Sequence, residues 1–230
     1  CAAAWCSENC RQSDLVHDEL VHGTQKPTKD KSLKAINVSC SDWELFEEFA
    51  WKNRLEHEYL YALMLVNKLK HGKDSEFAKI IEGLSYVNEE KSLESFMEPG
   101  SQKYEQKIQI RKEGYALLKK ALKPSYDLSY EEYLNGIGCV SLNCLGSSIC
   151  ATYSLLNHNC DPNTTMVYTS GNSFHVVARR DIEPNEEICT SYVDPEDGLE
   201  RRQFDLYSWG FICHCERCTR EGVDDLTILL

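Results

Sequence analysis

The sequence predicts an α+β fold, and three observations carry that expectation. A long middle stretch repeats apolar residues at helical spacing. The last third sets short apolar runs between Gly, Ser, Asn and Pro turns, and a tight cysteine cluster lies near its end. With 230 residues, 42% of them hydrophobic, the chain can bury a core without disulfide staples.

In chain order, residues 1–22 are a Cys/His-rich opening, and the polar run Gly23 to Ser32 reads as a linker. Helical patterning begins at Ser41, which pairs with Glu44 as a capping box. Leu45, Phe46, Phe49, Leu55, Leu60, Leu63 and Leu69 then recur at helical spacing as far as His71 and Gly72. Further helices are expected over Asp74 to Tyr86 and Gln102 to Leu122, the latter closed by Pro124, with a short one over Leu128 to Leu134. From Asn135 the texture changes to Gly mixed with β-branched residues. Strands are expected over Met166 to Tyr168, Phe174 to Ala178 and Glu187 to Tyr192, separated by SGN and EPNE turns. The organisation is thus 1–22, a linker and helical region over 23–134, a small strand-rich core over 135–195, and a Cys-rich end over 196–230 with a closing helix from Leu199 to Ser208.

Charge and composition exclude several functions. Lys and Arg number 25 against 37 Asp and Glu, a net charge of −12. No block of cations is present to grip a phosphate backbone, so direct nucleic-acid binding is not expected and basic proteins or peptides fit better as partners. Apolar runs such as Tyr59 to Val66 fall well short of the ~20 residues of a membrane helix, so no membrane role is expected. Twelve cysteines without a secretory signal in these residues point to thiolate chemistry in a reducing compartment, the nucleus or cytoplasm. Nothing in the pattern fixes an oligomeric state.

The sharpest chemical feature is Cys213-His214-Cys215-Glu216-Arg217-Cys218. Three thiolates in six residues suit zinc, which takes four Cys or His ligands in a tetrahedron, so one more ligand is needed. Cys160 is the preferred fourth, because it lies in the polar turn Asn157-His158-Asn159-Cys160-Asp161-Pro162-Asn163. His214 is the alternative, and three unliganded surface thiols the bland one. Glu47–Glu48 and Glu89–Glu90 read as solvated helix faces. Cys139, Cys144 and Cys150 read as small buried hydrophobes.

NHNCDPN, followed by EEICTSY and then GFICHCERC, resembles the signature of SET-domain protein lysine methyltransferases with a Cys-rich post-SET segment. The opening from Trp5 to His22 is similar to the second half of a MYND zinc finger, so the resemblance is to the SET/MYND family. It implies small antiparallel sheets around a knotted C-terminal segment, a helical insert and a zinc-binding post-SET segment. It also implies the cofactor S-adenosylmethionine and a lysine-bearing protein or peptide substrate, histone tails among them.

Carried over by position, the resemblance implies that Asn157 and His158 hold the cofactor, with Asn135 a further contact, and that Phe211 stacks on the adenine. Tyr192 would stand beside the transferred methyl group. Trp209 occupies a place in the cofactor and lysine pocket where the family usually has Tyr, which bears on the degree of methylation. Cys1, Cys6, Cys10, His17 and His22 would be finger ligands, although His17 comes one residue early after Cys10 and Cys1 lies one residue close to Cys6. The family's strand segment with a G-x-G turn precedes the finger and has no match in these residues. The expectation is therefore of a chain truncated at its N-terminus with an incomplete cofactor pocket. Gly136-Ile137-Gly138 follows the helical stretch and does not count as that turn.

The leading expectation is an S-adenosylmethionine-dependent protein-lysine N-methyltransferase. The runner-up is a non-catalytic SET/MYND protein-interaction module with a defective pocket, and the third is an unrelated zinc module. A lysine amine, with a pKa near ~10.4, is almost wholly ammonium at neutral pH, so transfer needs a desolvated aromatic channel that favours the neutral amine.

Overall fold

The computed structural model describes residues 16, 20, 33–34, 36–94, 96–123, 125–145, 148–169 and 174–225. Cys1, Cys6, Cys10, His17 and His22 lie outside the described residues. The chain divides into two compact units, Cys1–Ile149 and Cys150–Leu230.

The first unit is helical: α1 (Cys40–Asn53), α2 (Glu56–His71), α3 (Glu76–Gly83), α4 (Glu89–Glu94), α5 (Gln102–Leu122) and α6 (Tyr130–Asn143), followed by the antiparallel pair β1 (Cys144–Leu145) and β2 (Ser148–Ile149). Its core takes Trp43, Phe46 and Ala50 from α1, Ala62 and Val66 from α2, Leu118 and Leu122 from α5, and Tyr133, Ile137 and Val140 from α6. These positions recur every three or four residues, which turns one stripe of each helix inward. Ser101 and Ser129 cap α5 and α6, their hydroxyls accepting from the Tyr104 and Glu132 N–H groups.

Four sequence expectations are corrected in this unit. The continuous helix expected up to His71 is two helices, because Arg54 adopts the left-handed conformation (φ 57°, ψ 51°) and ends α1. That strained residue lets the Leu55 N–H donate to Ala50 O and the Leu55 side chain pack against the core. The Ser41–Glu44 box is displaced as well: α1 starts at Cys40 with Ser39 at its N-cap, and the Ser39 hydroxyl donates to Asp42 Oδ2 at 2.6 Å.

The third correction concerns Asn135 to Asn143, expected as Gly-rich strand texture and found inside α6. Its glycines serve close approach and not turning. A Cβ on Gly136 would stand 2.0 Å from the Tyr61 ring, and one on Gly138 would stand 1.8 Å from Val87 O. Of the glutamates read as solvated, Glu48 is exposed, but the other three are engaged: Glu89 pairs with Arg111 at 3.2 Å, Glu90 accepts from the Tyr130 hydroxyl, and Glu47 accepts from the Tyr59 hydroxyl.

The second unit holds α7 (Ala151–Ser154), β3 (Asn157–His158), β4 (Thr164–Tyr168), β5 (Phe174–Ala178), β6 (Cys189–Thr190), α8 (Leu199–Tyr207), α9 (Glu216–Arg220) and a 3₁₀ turn at Val223–Asp225. β4 and β5 form an antiparallel hairpin, and β3 pairs with β6 in parallel. A small core gathers Cys160, Leu206, Cys213, Cys218 and Val223. The described cysteines are all free thiols, and among the described residues no helix is long and apolar enough to cross a membrane.

Two alanine substitutions should act with opposite sign. Gly138→Ala meets a backbone oxygen that cannot turn away and should lower stability by ~1–3 kcal/mol. Gly83→Ala, at the end of α3 with nothing within 4 Å, should raise it by up to ~1 kcal/mol. Urea unfolding midpoints of the two variants check this.

Candidate active site and cysteine centre

The site of the second unit is assembled by pairing NHNCDPN with EEICTSY. β3 lies parallel to β6, with Asn157 opposite Cys189 and His158 opposite Thr190, and the Asn159 N–H extends the pairing to Thr190 O at 2.9 Å. Asn163, 3% exposed, closes the far side. Its amide donates to Glu187 O at 2.8 Å and Glu186 Oε1 at 2.9 Å, and its carbonyl accepts from the Cys189 N–H at 2.9 Å. The Thr164 hydroxyl adds a bond to Cys189 O at 2.8 Å. Asn157 is more exposed, its amide donating to Glu187 Oε1 at 2.6 Å.

This pairing sets His158 against Tyr192. The Tyr192 backbone N–H donates to His158 Nδ1 at 3.0 Å. A backbone N–H can only donate, so Nδ1 is the acceptor and the neutral ring carries its proton on Nε2, which faces Cys160 Sγ at 3.2 Å. Burial, with a smaller contribution from the Arg202 charge, pushes the imidazole pKa down to about 4 and keeps the ring neutral.

Around that pair the rings converge. Tyr192 and Trp209 lie 4.6 Å apart at 34°, Phe211 stands edge-on to Tyr192 at 6.4 Å, and His158 lies 5.3 Å from Tyr192 and 5.9 Å from Phe211. The turn between Trp209 and Phe211 passes through Gly210 at φ +83°, a conformation that other residues adopt only with strain. The Tyr192 hydroxyl donates to Leu156 O at 2.7 Å, and burial pushes the phenol pKa up. Its proton is therefore committed, and what the oxygen offers a further group is its lone pairs.

Behind the rings, the sulfurs of Cys160, Cys213, Cys215 and Cys218 all lie within 4.8 Å of one another. Cys160 stands 3.9 Å from Cys213 and 3.4 Å from Cys218. A zinc ion with Zn–S bonds of ~2.3 Å would hold sulfurs about 3.8 Å apart, so the donor set could take such an ion with small movements. His214 is outside this group: its side chain is 61% exposed and its Nδ1 lies 3.4 Å from Asp224 Oδ1.

Burial pushes the Cys213 and Cys218 thiols up to about 11 and raises Cys160. Cys215 goes the other way: burial alone would raise it, but the Cys218 and Cys160 N–H groups and the Cys213 and Cys218 thiols together lower it. Without a cation beside them, three of the four sulfurs hold their protons more tightly than an ordinary thiol.

Asn135 belongs to the first unit. It accepts from the Asn88 amide at 3.4 Å and lines a cavity of about 220 Å³ with Tyr61, Leu65 and Cys139.

Sequence reasoning missed Asn163, Arg202, Gln203 and Arg217. Arg217 donates to Cys160 O at 3.0 Å and Pro195 O at 2.6 Å, tying the last cysteine run to NHNCDP. The available signal was positional. Arg202 lies one turn before Leu206 on the apolar side of α8, where a polar side chain needs a buried partner.

The SET domain family profile matches residues 6–193 of this chain. Curated relatives carry the name histone-lysine N-methyltransferase SET5. The Candida glabrata protein is 30% identical over 96% of this chain and 44% of its own length, and that of Yarrowia lipolytica 31% over 100% and 51%. The Meyerozyma guilliermondii protein is 32% identical over 96% of this chain and 48% of its own. The chain spans about half the length of these relatives.

The ion pair at the edge of the site has a measurable signature. Arg180 clamps both Glu186 oxygens, and the Glu183 N–H and Asn163 amide add to it, so the carboxyl pKa falls to about 2. The folded value lies below the unfolded one, so the clasp contributes fully above about pH 4.5 and fades as pH falls through about 2. In a carboxyl-carbon NMR titration, Arg180→Ala should return Glu186 toward the ordinary glutamate range.

Proposed function

The chain belongs to the SET-domain family, and from that premise we propose that it acts as an S-adenosylmethionine-dependent protein-lysine N-methyltransferase. The convergence of His158, Tyr192, Trp209 and Phe211 on one half-buried surface carries this reading. Aromatic faces attract cations, and both a sulfonium and a lysine ammonium are cations.

In this reading Asn157 and His158 hold the cofactor and Phe211 receives its adenine; Asn135, expected as a further contact, lies in the first unit. When bound, the cofactor supplies an electrophilic methyl group. The chain's own residues position and desolvate. Exclusion of water from the site costs the ammonium form more than the ring faces return, and this desolvation lowers the lysine pKa toward neutrality. The Tyr192 oxygen, its proton given to Leu156 O, accepts from the amine N–H and turns the nitrogen lone pair toward the methyl. Tyr192 is not a general base, because its own pKa is raised. Alignment of this kind contributes up to roughly 7–11 kcal/mol.

The finer placement in the SET/MYND subfamily, with its knotted C-terminal segment and helical insert, rests on the resemblance and on the spacing of Cys1, Cys6, Cys10, His17 and His22. Zinc is assigned to Cys160, Cys213, Cys215 and Cys218. Histone tails are the proposed substrate, given the names of the relatives and the −12 charge, which attracts Lys-rich segments in the nucleus or cytoplasm. A second reading, a peptide-binding module without transfer, is favoured by Trp209, which brings no hydroxyl to the pocket.

Two measurements test this proposal. With methyl-labelled S-adenosylmethionine and core histones, the chain should label lysine, and Tyr192→Phe should lower the rate about tenfold, the effect of one lost positioning hydrogen bond. No labelling, or full activity in the variant, would contradict the mechanism. Native mass spectrometry should find a zinc ion that Cys160→Ser loses; retention would favour His214.

A further inference from the structure

Helix α8 turns a guanidinium and a carboxamide onto the cysteine centre, and neither has a part in the methyl transfer described above. Arg202 is fully buried. Its Nη1 donates to Asp197 O at 2.6 Å, and its Nη2 donates to Glu221 Oε2 at 2.6 Å and faces Cys218 Sγ at 3.8 Å. Its Nε is buried with no acceptor among the described residues. Gln203, also fully buried, donates from Nε2 to Cys218 Sγ at 3.3 Å and to Cys213 O at 2.9 Å, while its Oε1 accepts from the Cys213 N–H at 2.9 Å.

Among the described residues, Arg202 shares its carboxylate partner with a second guanidinium. Glu221 also accepts from Arg217 Nε at 2.8 Å, so one carboxylate serves two guanidinium groups and a single positive charge is left over. A fully buried cation is costly unless an anion opposes it. Four thiolates on a divalent ion carry a net charge of −2. Arg217 turns its Nη1 to the carbonyls of Cys160 and Pro195, and Arg202 is the guanidinium that faces sulfur.

We propose that Arg202, aided by Gln203, is the built-in counter-charge of a zinc–tetrathiolate centre and sets how tightly the metal is retained. Arg202 is a positioning residue that touches neither substrate nor cofactor. The proposal rests on the zinc reading of the four cysteines. Its physical content is that the guanidinium draws electron density from the nearest sulfurs, Cys218 first, and stabilises them as thiolates. Gln203 holds the Cys213 backbone and the Cys218 sulfur at one separation. Loss of the charge should loosen the metal even where the fold survives.

The test loads the full chain with zinc, or with cobalt as a spectroscopic substitute, and follows metal transfer to a chromophoric chelator. Arg202→Met should release zinc roughly 10- to 100-fold faster than the unsubstituted chain. Arg202→Lys, which keeps the charge, should recover most of that loss. In the cobalt form, Arg202→Met should shift the thiolate-to-cobalt charge-transfer bands to lower energy, a change that a purely packing role would not produce. Should Arg202→Met fail to fold, Arg202→Gln carries the same expectations. Unchanged release and unchanged bands in the charge-free variants, or release from Arg202→Lys as fast as from Arg202→Met, would overturn the counter-charge role. If the unsubstituted chain gives no tetrahedral cobalt spectrum, the zinc reading itself fails, and the counter-charge falls with it.

Discussion

Four sulfurs from two distant parts of the sequence fix the geometry of the second unit. Cys160 comes from the turn after β3, and Cys213, Cys215 and Cys218 come from the run after α8. Because Trp209 and Phe211 immediately precede that run, gathering the sulfurs also brings their rings against His158 and Tyr192. The centre and the ring cluster are one construction.

Its hydrogen bonds have to do more than usual, because the regular structure is slight. β3 and β6 contribute two residues each, and a two-stranded pair of that length has little stability alone. Side chains complete it. Asn163 satisfies three groups across the pairing, Arg217 spans to two carbonyls, and Gln203 reads both the N–H and the C=O of Cys213. Buried polar networks of this kind are costly when half satisfied and specific when complete. The structural consequence is a rigid seat for Tyr192, whose backbone N–H and hydroxyl are both engaged.

Local signals in the sequence were sufficient where they determine structure locally. α5 runs from Gln102 to Leu122 as its periodicity indicates, and α8 ends at Tyr207, one residue short of the expected helix. The strands at β4 and β5 likewise follow their apolar runs. What remained hidden depends on partners distant in sequence. Gly136 and Gly138 look like breakers until the Tyr61 ring and Val87 O are seen against them. Glu89 looks solvated until Arg111 arrives from α5. Arg202 looks like one more surface cation on α8, although its burial is dictated by Glu221 and the sulfurs. The NHNCDPN and CxCxxC spacings made the principal residues visible, whereas their supports were not, because a support is defined by what it touches.

The central claim is that the cysteine centre holds the ring cluster in the arrangement proposed to bind cofactor, and calorimetric titration with S-adenosylmethionine tests it most directly. The zinc-loaded chain should bind saturably, and the same chain stripped of zinc by a chelator should lose that binding as Trp209 and Phe211 separate from His158 and Tyr192. Equal affinity before and after zinc removal would contradict the claim.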